Sequence, residues 1–457
     1  MKTKTKGGSA VASGGYGCIF RPMIPCEKSQ EIENKTMIYA SKDNELSSLN
    51  KDKYVSKLML NKHANAEINE VLRFQKILKN IPNYQEYFIF PTVACTPSVL
   101  SNQDKINYDK KCSRLIRHGI DTSNINRHRL ELSVLQIQDG GIDLHDYIDN
   151  NEITKEIFYK INRNLIRLLK HAIVPMNNNF LYHLDLKAPN VLVDVNDNYK
   201  LKLIDWGMSS YIKGKNQIPD IGYRPFHFNM PYSIILMNME VITQIENVIY
   251  NNHNRDDLTL EIASDLIERY YTKFLSKKLG DGHLEYIENL LMVLKTNSTT
   301  NSYDEIFNYL GKIIIHYRKN NNTFDYNYFQ VFLHNIDIWG FISIYLPFMD
   351  IDEKFSDKHL RKLKMTIRKL YTEFLHKYVV EAIPLHKLIN FLESLNKQYY
   401  PVAPTTSIAY VDTLLSKTIT MDFDYLKAYM KPKSQTRKRK LSSQKLSQKS
   451  KQKSRKR

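Results

Sequence analysis

The sequence predicts an α+β protein with a small β-rich N-terminal part and a larger, mostly helical C-terminal part. Three observations support this fold class. Short runs of β-branched and aromatic residues recur from Ala10 to about Gly140, with one helical stretch among them. From Ile142 onward the apolar residues recur with helical spacing. A hairpin of two short strands, at residues 191–206, interrupts this helical pattern.

The N-terminal part carries three strand signals and one helix signal. The strand signals are the runs YVSKLML, YFIFPTVA and ELSVLQIQ, at residues 54–60, 87–94 and 131–138. Between the first two runs, residues 66–81 (AEINEVLRFQKILKNI) place their apolar side chains on one helix face. The breaker pair Gly140-Gly141 ends the last run. We therefore expect a sheet with one main helix.

The C-terminal part begins with a long helical pattern at residues 156–176. The strands VLVDV and KLKLIDW, joined by the turn NDNY, form the hairpin that follows. Residues 241–325 are helical patterns broken by Asn-rich pieces, and we interpret them as an insertion. Helical spacing resumes in FLHNIDIWGFISIYLPF, at residues 332–348.

Composition and terminal segments limit the class of protein. The chain has no window near the roughly 18 consecutive apolar residues of a membrane span, and the N-terminus has no apolar signal region. The four cysteines, Cys18, Cys26, Cys95 and Cys112, form no CxxC pair, which argues against a zinc site and against a disulfide framework. We expect reduced thiols, no membrane span and an intracellular location.

The positive charge is concentrated at the C-terminus. Residues 431–457 contain 13 Lys or Arg and no acidic residue, which leaves +5 of the formal +18 for the rest of the chain. The near absence of apolar residues predicts a disordered basic tail. It is interpreted as a nuclear-localisation signal or an arm that binds nucleic acid or another polyanion, with a solubilising tail as the alternative. Residues 1–10 are predicted to be a flexible leader.

The stretch YHLDLKAPNVLVDVN, at residues 182–196, concentrates polar groups in a loop between a helix and the hairpin. The carboxylate of Asp185 can orient a hydroxyl and take its proton, and Lys187 can neutralise charge on a phosphoryl group. Asn190 offers an amide oxygen, a hard ligand suited to Mg²⁺. The hairpin can return Asp205, 15 residues beyond Asn190, to the same cleft as a second ligand. These residues predict a phosphoryl-transfer site with a divalent cation, Mg²⁺ or Mn²⁺.

HLDLKAPN followed by DWG resembles the catalytic loop and metal-binding motif of the eukaryotic-type protein kinase superfamily. The resemblance implies a bilobal protein-kinase-like fold, with the N-lobe at residues 11–139, the C-lobe at residues 140–430, and ATP bound between them. It implies that Asp185 is the catalytic base, Lys187 faces phosphate, and Asn190 and Asp205 hold the metal. His183 matches a structural position. Lys187 is typical of serine/threonine kinases, so the expected substrate is a protein with Ser or Thr acceptors.

VASGGYGCIF resembles the glycine-rich phosphate loop of the family, with Ala12 in the first glycine place and Ile19 in the valine place. The resemblance implies ATP contacts for Ala12, Ser13, Gly14, Gly15, Tyr16, Gly17 and Ile19. YVSKLM resembles the strand that carries the ATP-binding lysine, here Lys57. Its partner on the following helix is Glu67 or Glu70; we favour Glu70, because Ile77, seven residues later, then takes a buried position. The polar residues 41–53 are expected to form an extended hairpin.

VLQIQDGGIDLHDYI resembles the hinge of the family, with Leu135 as gatekeeper and Gln136 and Gln138 meeting adenine through backbone groups. Asp143 is a candidate for the ribose or, equally, a helix cap. NIDIWGFIS resembles a large-lobe helix of the family, which implies that Asp337 is buried against the catalytic loop and that Trp339 is packed.

Two departures from the family pattern concern the activation segment. Leu184 stands where the family has an arginine that binds an activation-loop phosphate, and GYRPFHFNMPYSIIL lacks the APE glutamate. We therefore expect activity without phosphorylation of the Ser and Tyr residues between Ser209 and Tyr223. These departures resemble the divergent serine/threonine kinases of large DNA viruses, which implies action in a host cell or a virion. The alternatives are a pseudokinase scaffold with a polyanion-binding tail and a small-molecule kinase.

Overall fold

The computed structural model describes residues 8–13, 16–27, 53–212, 227–278, 291, 304–350 and 358–399. Within these residues the chain is a mixed α+β protein with a sheet-rich N-terminal region and a helical C-terminal part, as predicted. Three predicted features lie wholly or mostly outside the described residues. They are the leader, the hairpin at residues 41–53 and the tail at residues 431–457.

The N-terminal region is built on an antiparallel sheet, which has five strands within the described residues, in the order β1-β2-β3-β5-β4. The strands are β1 (Ser9–Ser13), β2 (Gly17–Arg21), β3 (Tyr54–Leu60), β4 (Pro91–Cys95) and β5 (Leu132–Gln138). β3 and β5 are the predicted runs at residues 54–60 and 131–138. β4 starts later than predicted, since only the end of its run pairs with β5.

The main helix of this region, α1 (Asn61–Leu78), starts directly after β3. Its buried residues are Ala64, Ile68, Val71, Phe74 and Leu78, three or four positions apart. This spacing gives one apolar face and confirms the predicted helix. The first turns, NKHAN, were missed because their residues are mostly polar.

The connection between β4 and β5, residues 96–131, contains two short helices that the sequence analysis did not predict: α2 (Tyr108–Lys111) and α3 (Ser113–Ile116). Its apolar residues are too irregularly spaced to give a helical or strand period. Six of them are nevertheless buried in one hydrophobic cluster with Ala10, Phe20 and Leu58 of the sheet: Leu100, Tyr108, Cys112, Leu115, Ile120 and Ile125. Val99, Ile106 and Leu130 are exposed. This connection is therefore packed on β1, β2 and β3, where it helps to form the core of the N-terminal region.

Disulfides join Cys18 to Cys112 and Cys26 to Cys95, so the expectation of reduced thiols was wrong. The partners are 94 and 69 residues apart in sequence but have Cα–Cα distances of 5.1 and 5.7 Å. These distances suit a disulfide. The Cys18–Cys112 pair depends on the packing of the β4–β5 connection, and the Cys26–Cys95 pair on the position of the end of β4 beside the chain after β2; no local cysteine spacing reports either. One of the two arguments for an intracellular location is thereby removed, and that location stays a prediction.

The chain after β5 begins with short strands and helices. The strands are β6 (Ile142–Asp143), β7 (Leu181–Tyr182), β8 (Val191–Asp194), β9 (Lys200–Leu203) and β10 (Ser210–Tyr211). β6, β8 and β9 form one antiparallel sheet, and β10 pairs with β7. The helices are α4 (Leu144–Asn150), α5 (Lys155–Leu168) and α6 (Val174–Asn178), with a π-helical turn at Leu169–Ile173 between the last two. The predicted helix at residues 156–176 and the predicted hairpin are both confirmed.

The remaining described elements are helical. They are α7 (Met239–Ile245), α8 (Leu260–Lys278), α9 (Asp304–His316), α10 (Tyr328–Ser343), α11 (Pro347–Asp350), α12 (Lys358–Phe374) and α13 (Leu385–Tyr399). Helices α7, α8 and α9 confirm helical structure within residues 241–325, of which residues 279–290 and 292–303 lie outside the described residues. That this region is an insertion stays a prediction.

The chain divides into two compact units. Unit 1 comprises residues 1–211, 340–370 and 384–417; unit 2 comprises residues 212–339, 371–383 and 418–457. In unit 1 the buried Asn162 of α5 accepts a hydrogen bond from the Tyr345 hydroxyl (2.6 Å) and donates to the Leu392 carbonyl (2.9 Å). This side chain therefore joins three distant parts of unit 1. The predicted lobe boundary near residue 139 stays a prediction.

In unit 2 the indole of Trp339 is buried, as predicted. Its Nε1 donates to the Phe228 carbonyl (3.1 Å), and its ring contacts those of Tyr232 and Tyr309, with centroids 5.0 and 5.7 Å away. Asp337 is also buried. Its expected contact with the catalytic loop stays a prediction.

Within the described residues, one helical stretch, Tyr328–Asp350, is long and apolar enough to cross a membrane. The protein itself buries 89% of its most apolar window. A core helix of a folded protein gives the same pattern.

Candidate active site

The loop between β7 and β8 carries the predicted catalytic residues. Its first residue, His183, is fully buried, and its Nε2 lies 3.0 Å from the Ile204 carbonyl. Its own carbonyl accepts a hydrogen bond from the hydroxyl of Ser209 (3.2 Å). His183 therefore ties the loop to the chain on either side of Asp205, which agrees with the structural role expected for it.

Asp185, Lys187 and Asn190 converge within this loop. The Nζ of Lys187 lies 3.0 Å from Oδ2 of Asp185, and Nδ2 of Asn190 donates to that same oxygen (2.9 Å) and to the Asp185 carbonyl (2.7 Å). Asp185 is 6% exposed and Asn190 is 5% exposed. Two donors therefore fix the orientation of a nearly buried carboxylate, as general-base chemistry requires.

The β8–β9 hairpin brings Asp205 beside Asn190. Asn190 directly precedes β8, and Asp205 is the second residue after β9. Antiparallel strands place these two positions at the same end of the hairpin. The backbone N–H of Ile204 donates to the Asn190 carbonyl (3.1 Å). The backbone at the two candidate metal ligands is therefore close together, and their joint binding of a metal ion stays a prediction.

Lys57 pairs with Glu67, so the preference for Glu70 was wrong. The Nζ of Lys57 lies 2.8 and 2.7 Å from the two carboxylate oxygens of Glu67. Glu67 precedes Val71 by four residues and Phe74 by seven, which places it beside the buried face of α1. Glu70 lies further round the helix on an exposed position, and Ile77 is only half-buried.

Lys57 is nearly buried, with 8% of its surface exposed, and it lies near acidic groups. Burial by itself lowers the pKa of Lys57, but the carboxylates of Glu67 and then Asp205 raise it, and the net pKa lies above its ordinary value. The ammonium therefore stays protonated throughout the neutral range, and its contribution to folding is lost only as the pH rises above the ordinary lysine pKa. Because Asp205 contributes to this shift in the pKa of Lys57, the end of the hairpin lies near the α1 ion pair.

Trp206 anchors the turn that carries Asp205. Its Nε1 donates to the Ile89 carbonyl (3.1 Å), and its ring stacks on that of Phe90 with centroids 4.7 Å apart. Its ring also contacts Phe74 of α1 at 6.2 Å and His183 at 5.3 Å. Through these contacts Trp206 joins α1 to the catalytic loop. In the sequence Trp206 stands out only as part of the DWG motif, because its ring and hydrogen-bond partners are distant along the chain.

The candidate phosphate loop lies between β1 and β2. Ala12 is opposite Ile19 in the ladder, and Ser13 is opposite Cys18. At Gly17 a Cβ atom would lie 2.2 Å from the Leu58 carbonyl oxygen, so only glycine fits. The ring of Tyr16 lies 4.9 Å from that of His63 on α1. Gly14 and Gly15 lie outside the described residues.

The candidate hinge residues differ in position. Leu135 is buried opposite Lys57 in the β3–β5 ladder. Gln136 is buried too: its carbonyl accepts from the Thr92 hydroxyl (3.1 Å), and its Nε2 donates to the sulfur of Cys26 (3.1 Å). Gln138 is exposed at the end of β5. The adenine contacts of both glutamines stay predictions.

Asp143 caps α4, because its Oδ1 accepts from the backbone N–H of Asp146 (2.9 Å). The cap is thus confirmed, and the ribose contact stays a prediction. Sequence reasoning missed a contact of the candidate hinge with β2. Arg21, at the end of β2, donates to Asp139 Oδ1 and to the Gly141 carbonyl, both at 2.8 Å. An arginine at a strand end gives no sequence signal of such a partner.

The donor set fits a magnesium ion that is shared with phosphate. Among the described residues no three His, Cys, Asp or Glu side chains form a metal-binding group. Mg²⁺ commonly takes only one or two protein ligands, with phosphate and water oxygens completing its shell. Because Nδ2 of Asn190 donates to Asp185, its Oδ1 is the candidate ligand. Asp205 accepts from the Gly207 N–H (3.4 Å) through Oδ1, which makes Oδ2 the second candidate.

Comparison with known proteins adds no family assignment. Neither the models of known protein families nor the curated proteins include a match to this chain.

Proposed function

We propose that this protein is a protein kinase that uses ATP and Mg²⁺, or Mn²⁺, to phosphorylate Ser and Thr hydroxyls of protein substrates. The observation that carries the proposal is the position of Lys57, whose ammonium is held by Glu67 of α1 and also lies within the electrostatic influence of Asp205. One carboxylate would suffice to neutralise a structural lysine. A second acidic group beside it leaves net negative charge, which favours a cation there.

The charges of the site support a substrate that carries phosphate. Lys57 and Lys187 are cations, while Glu67, Asp185 and Asp205 are carboxylates. With a divalent cation bound, the balance becomes positive and suits a polyphosphate. Mg²⁺ held by Asn190 and Asp205 would supply neutralisation of phosphate charge.

Each of the chain's own groups has a role in this proposal. Lys57 binds and orients phosphate, and Glu67 holds the ammonium in place. Asp185, oriented by Asn190 and Lys187, accepts the proton of the attacking hydroxyl. Lys187, 3.0 Å from this carboxylate, is placed to contact the transferred phosphoryl group. The bilobal kinase-like arrangement is part of the same proposal.

The test is transfer of labelled γ-phosphate from ATP, with Mg²⁺ or Mn²⁺, to the protein itself, to a histone-like basic protein and to a casein-like acidic one. Wild type should label Ser or Thr. Asp185→Asn should reduce the rate by about a thousandfold, the middle of the range for loss of a general base. Asp197→Asn, in the turn at the other end of the same hairpin, is the matched control and should keep the wild-type rate.

Equal labelling by wild type and Asp185→Asn would refute the catalytic assignment. Binding of MgADP without transfer to any acceptor would instead favour the pseudokinase scaffold. Transfer to a small hydroxylated or amino compound and to no protein would favour the small-molecule kinase.

A further inference from the structure

The Cys18–Cys112 disulfide joins the candidate phosphate loop to the β4–β5 connection. Cys18 directly follows Gly17, and Cys112 lies between α2 and α3. Both cysteines are fully buried, in a cluster that includes Phe20, Tyr108 and Leu115. The bond is therefore part of a packed core that reaches the end of the loop.

The β1 arm of the loop is held by Lys111, the residue directly before Cys112. Ser13, the last residue of β1, donates its hydroxyl to the Lys111 carbonyl (2.6 Å). Ser13 and Cys18 are directly opposite each other in the β1–β2 ladder. Two consecutive residues of the connection, Lys111 and Cys112, thus hold the two strand positions that flank the loop.

Further contacts extend this attachment along both strands. The backbone N–H of Ala10 in β1 donates to the Ile106 carbonyl (3.2 Å), and the ring of Phe20 in β2 lies 6.5 Å from that of Tyr108. The hydroxyl of Tyr108 donates in turn to the Ile120 carbonyl (3.2 Å). The connection is therefore a folded support, with its own internal bonds, rather than a single tether.

We propose that residues 106–112 form a clasp that positions the two strands of the phosphate loop for nucleotide binding, with the Cys18–Cys112 disulfide as its covalent part. This inference rests on the proposed function. Phosphate binding requires backbone N–H groups held at fixed positions, so a loop that samples other positions binds nucleotide in proportion to its competent fraction. Cys18 and Cys112 are positioning residues and are not among the residues expected to contact ATP. The Ser13 hydroxyl, bonded to the Lys111 carbonyl, is likewise given a positioning role here, and the ATP contact expected for Ser13 stays a prediction.

The second disulfide provides a matched control. Cys26 and Cys95 join the chain after β2 to the end of β4, and Cys26 also pairs with Pro97 in an isolated bridge. Removal of Cys26–Cys95 deletes one disulfide, as removal of Cys18–Cys112 does, so the two double variants are matched in the number of cross-links lost. Loss of Cys26–Cys95 leaves the Ser13 and Cys18 contacts with the connection in place. It also removes the sulfur that accepts from Nε2 of Gln136, but the adenine contact expected of Gln136 is made by its backbone and not by this side chain.

The experiment compares Cys18→Ala/Cys112→Ala with Cys26→Ala/Cys95→Ala. MgADP binding is measured by calorimetry, and KM values for ATP and for the protein substrate are measured separately. If the competent fraction of the loop falls to about a tenth, Kd for MgADP and KM for ATP rise about tenfold in the first variant. The second variant should stay within about twofold of wild type, and KM for the protein substrate should not change in either.

Ser13→Ala provides a second measurement that does not depend on a folded disulfide variant. It removes one hydrogen bond at an exposed position and should raise KM for ATP by about threefold, as expected for the loss of one modest hydrogen bond. If the two double variants and Ser13→Ala do not differ from one another in MgADP affinity, the clasp is overturned. Absence of MgADP binding by wild type would instead overturn the proposed function.

Discussion

Leu184 and Asp205 both adopt a left-handed backbone, with φ of 61° and 63°, although neither is glycine or asparagine. Such a conformation costs about 1–3 kcal/mol and persists only where the surroundings enforce it. Here the buried side chain of Leu184 and the anchored ring of Trp206 do so. The two strained residues adjoin Asp185 and the hairpin end, where exact placement of a carboxylate matters most.

The choice between Glu67 and Glu70 gives a prediction at the residue scale. Glu67→Gln removes the charge that holds the Lys57 ammonium, so kcat/KM for phosphotransfer should fall by about tenfold or more, equivalent to ~1.4 kcal/mol. Glu70→Gln is the matched control on the same helix and should stay within about twofold. Steady-state kinetics on the two variants measures both. A larger loss in Glu70→Gln than in Glu67→Gln would contradict the assignment of the ion pair.

The ion pair also shows that helical spacing does not fix the rotation of a helix about its own axis. Glu67 and Glu70 lie on neighbouring positions of one helix face. The sequence does not report how α1 is rotated about its axis relative to β3. That rotation is set by the packing of Phe74 on Trp206, a residue 132 positions later. Helical spacing therefore predicted α1 but could not predict which carboxylate reaches Lys57.

At the scale of elements, the described residues directly after Asp205, residues 206–212, have contacts that involve no phosphate. β10 pairs with β7, and the buried hydroxyl of Ser209 donates to the His183 carbonyl (3.2 Å). The guanidinium of Arg73 on α1 lies 5.4 Å from the ring centroid of Tyr211. Position 184, which would carry a phosphate-binding arginine in the family, is a buried leucine. Backbone pairing and an aromatic ring thus hold this segment to the catalytic loop and α1.

We therefore expect phosphotransfer to be independent of phosphorylation in this segment. The variant Ser210→Ala/Tyr211→Phe/Tyr223→Phe removes three hydroxyl acceptors, and phenylalanine keeps the ring that faces Arg73. Its initial rate should equal that of wild type; a rate below about a fifth would show that a phosphate is needed.

Ser209→Ala is measured separately, because its hydroxyl has a structural partner. Loss of this hydrogen bond should cost about 1 kcal/mol of stability. Thermal unfolding of Ser209→Ala, compared with the three-site variant, distinguishes this structural effect from an effect of phosphorylation.

For the whole molecule, charge is distributed unevenly along the sequence. The last 27 residues carry 13 positive charges, and the remaining 430 residues have a net charge of only +5. The catalytic candidates all lie in unit 1, within residues 12–205. Polyanion binding and phosphotransfer are therefore expected to depend on separate parts of the chain.

Deletion of residues 431–457 should weaken retention on heparin or DNA and flatten its salt dependence, because fewer counterions are released on binding. Phosphotransfer should be unchanged. A variant that keeps the length of this segment but replaces its 13 Lys and Arg with Gln is the control for charge. Retention equal to wild type in both variants would leave the segment a solubilising tail.

The sequence by itself determined strands β3 and β5, helix α1, the helical stretch from α5 to α6, the β8–β9 hairpin, and the grouping of Asp185, Lys187, Asn190 and Asp205. These features are local: apolar periodicity, turn residues and a short loop encode them within a few positions of one another. Only the tertiary structure decided that Glu67 is the partner of Lys57, that all four cysteines are paired, and that Lys111 and Cys112 contact the facing ends of β1 and β2. The physical reason is that each of these depends on contacts between segments far apart in sequence, whose relative positions are set by packing of the whole core.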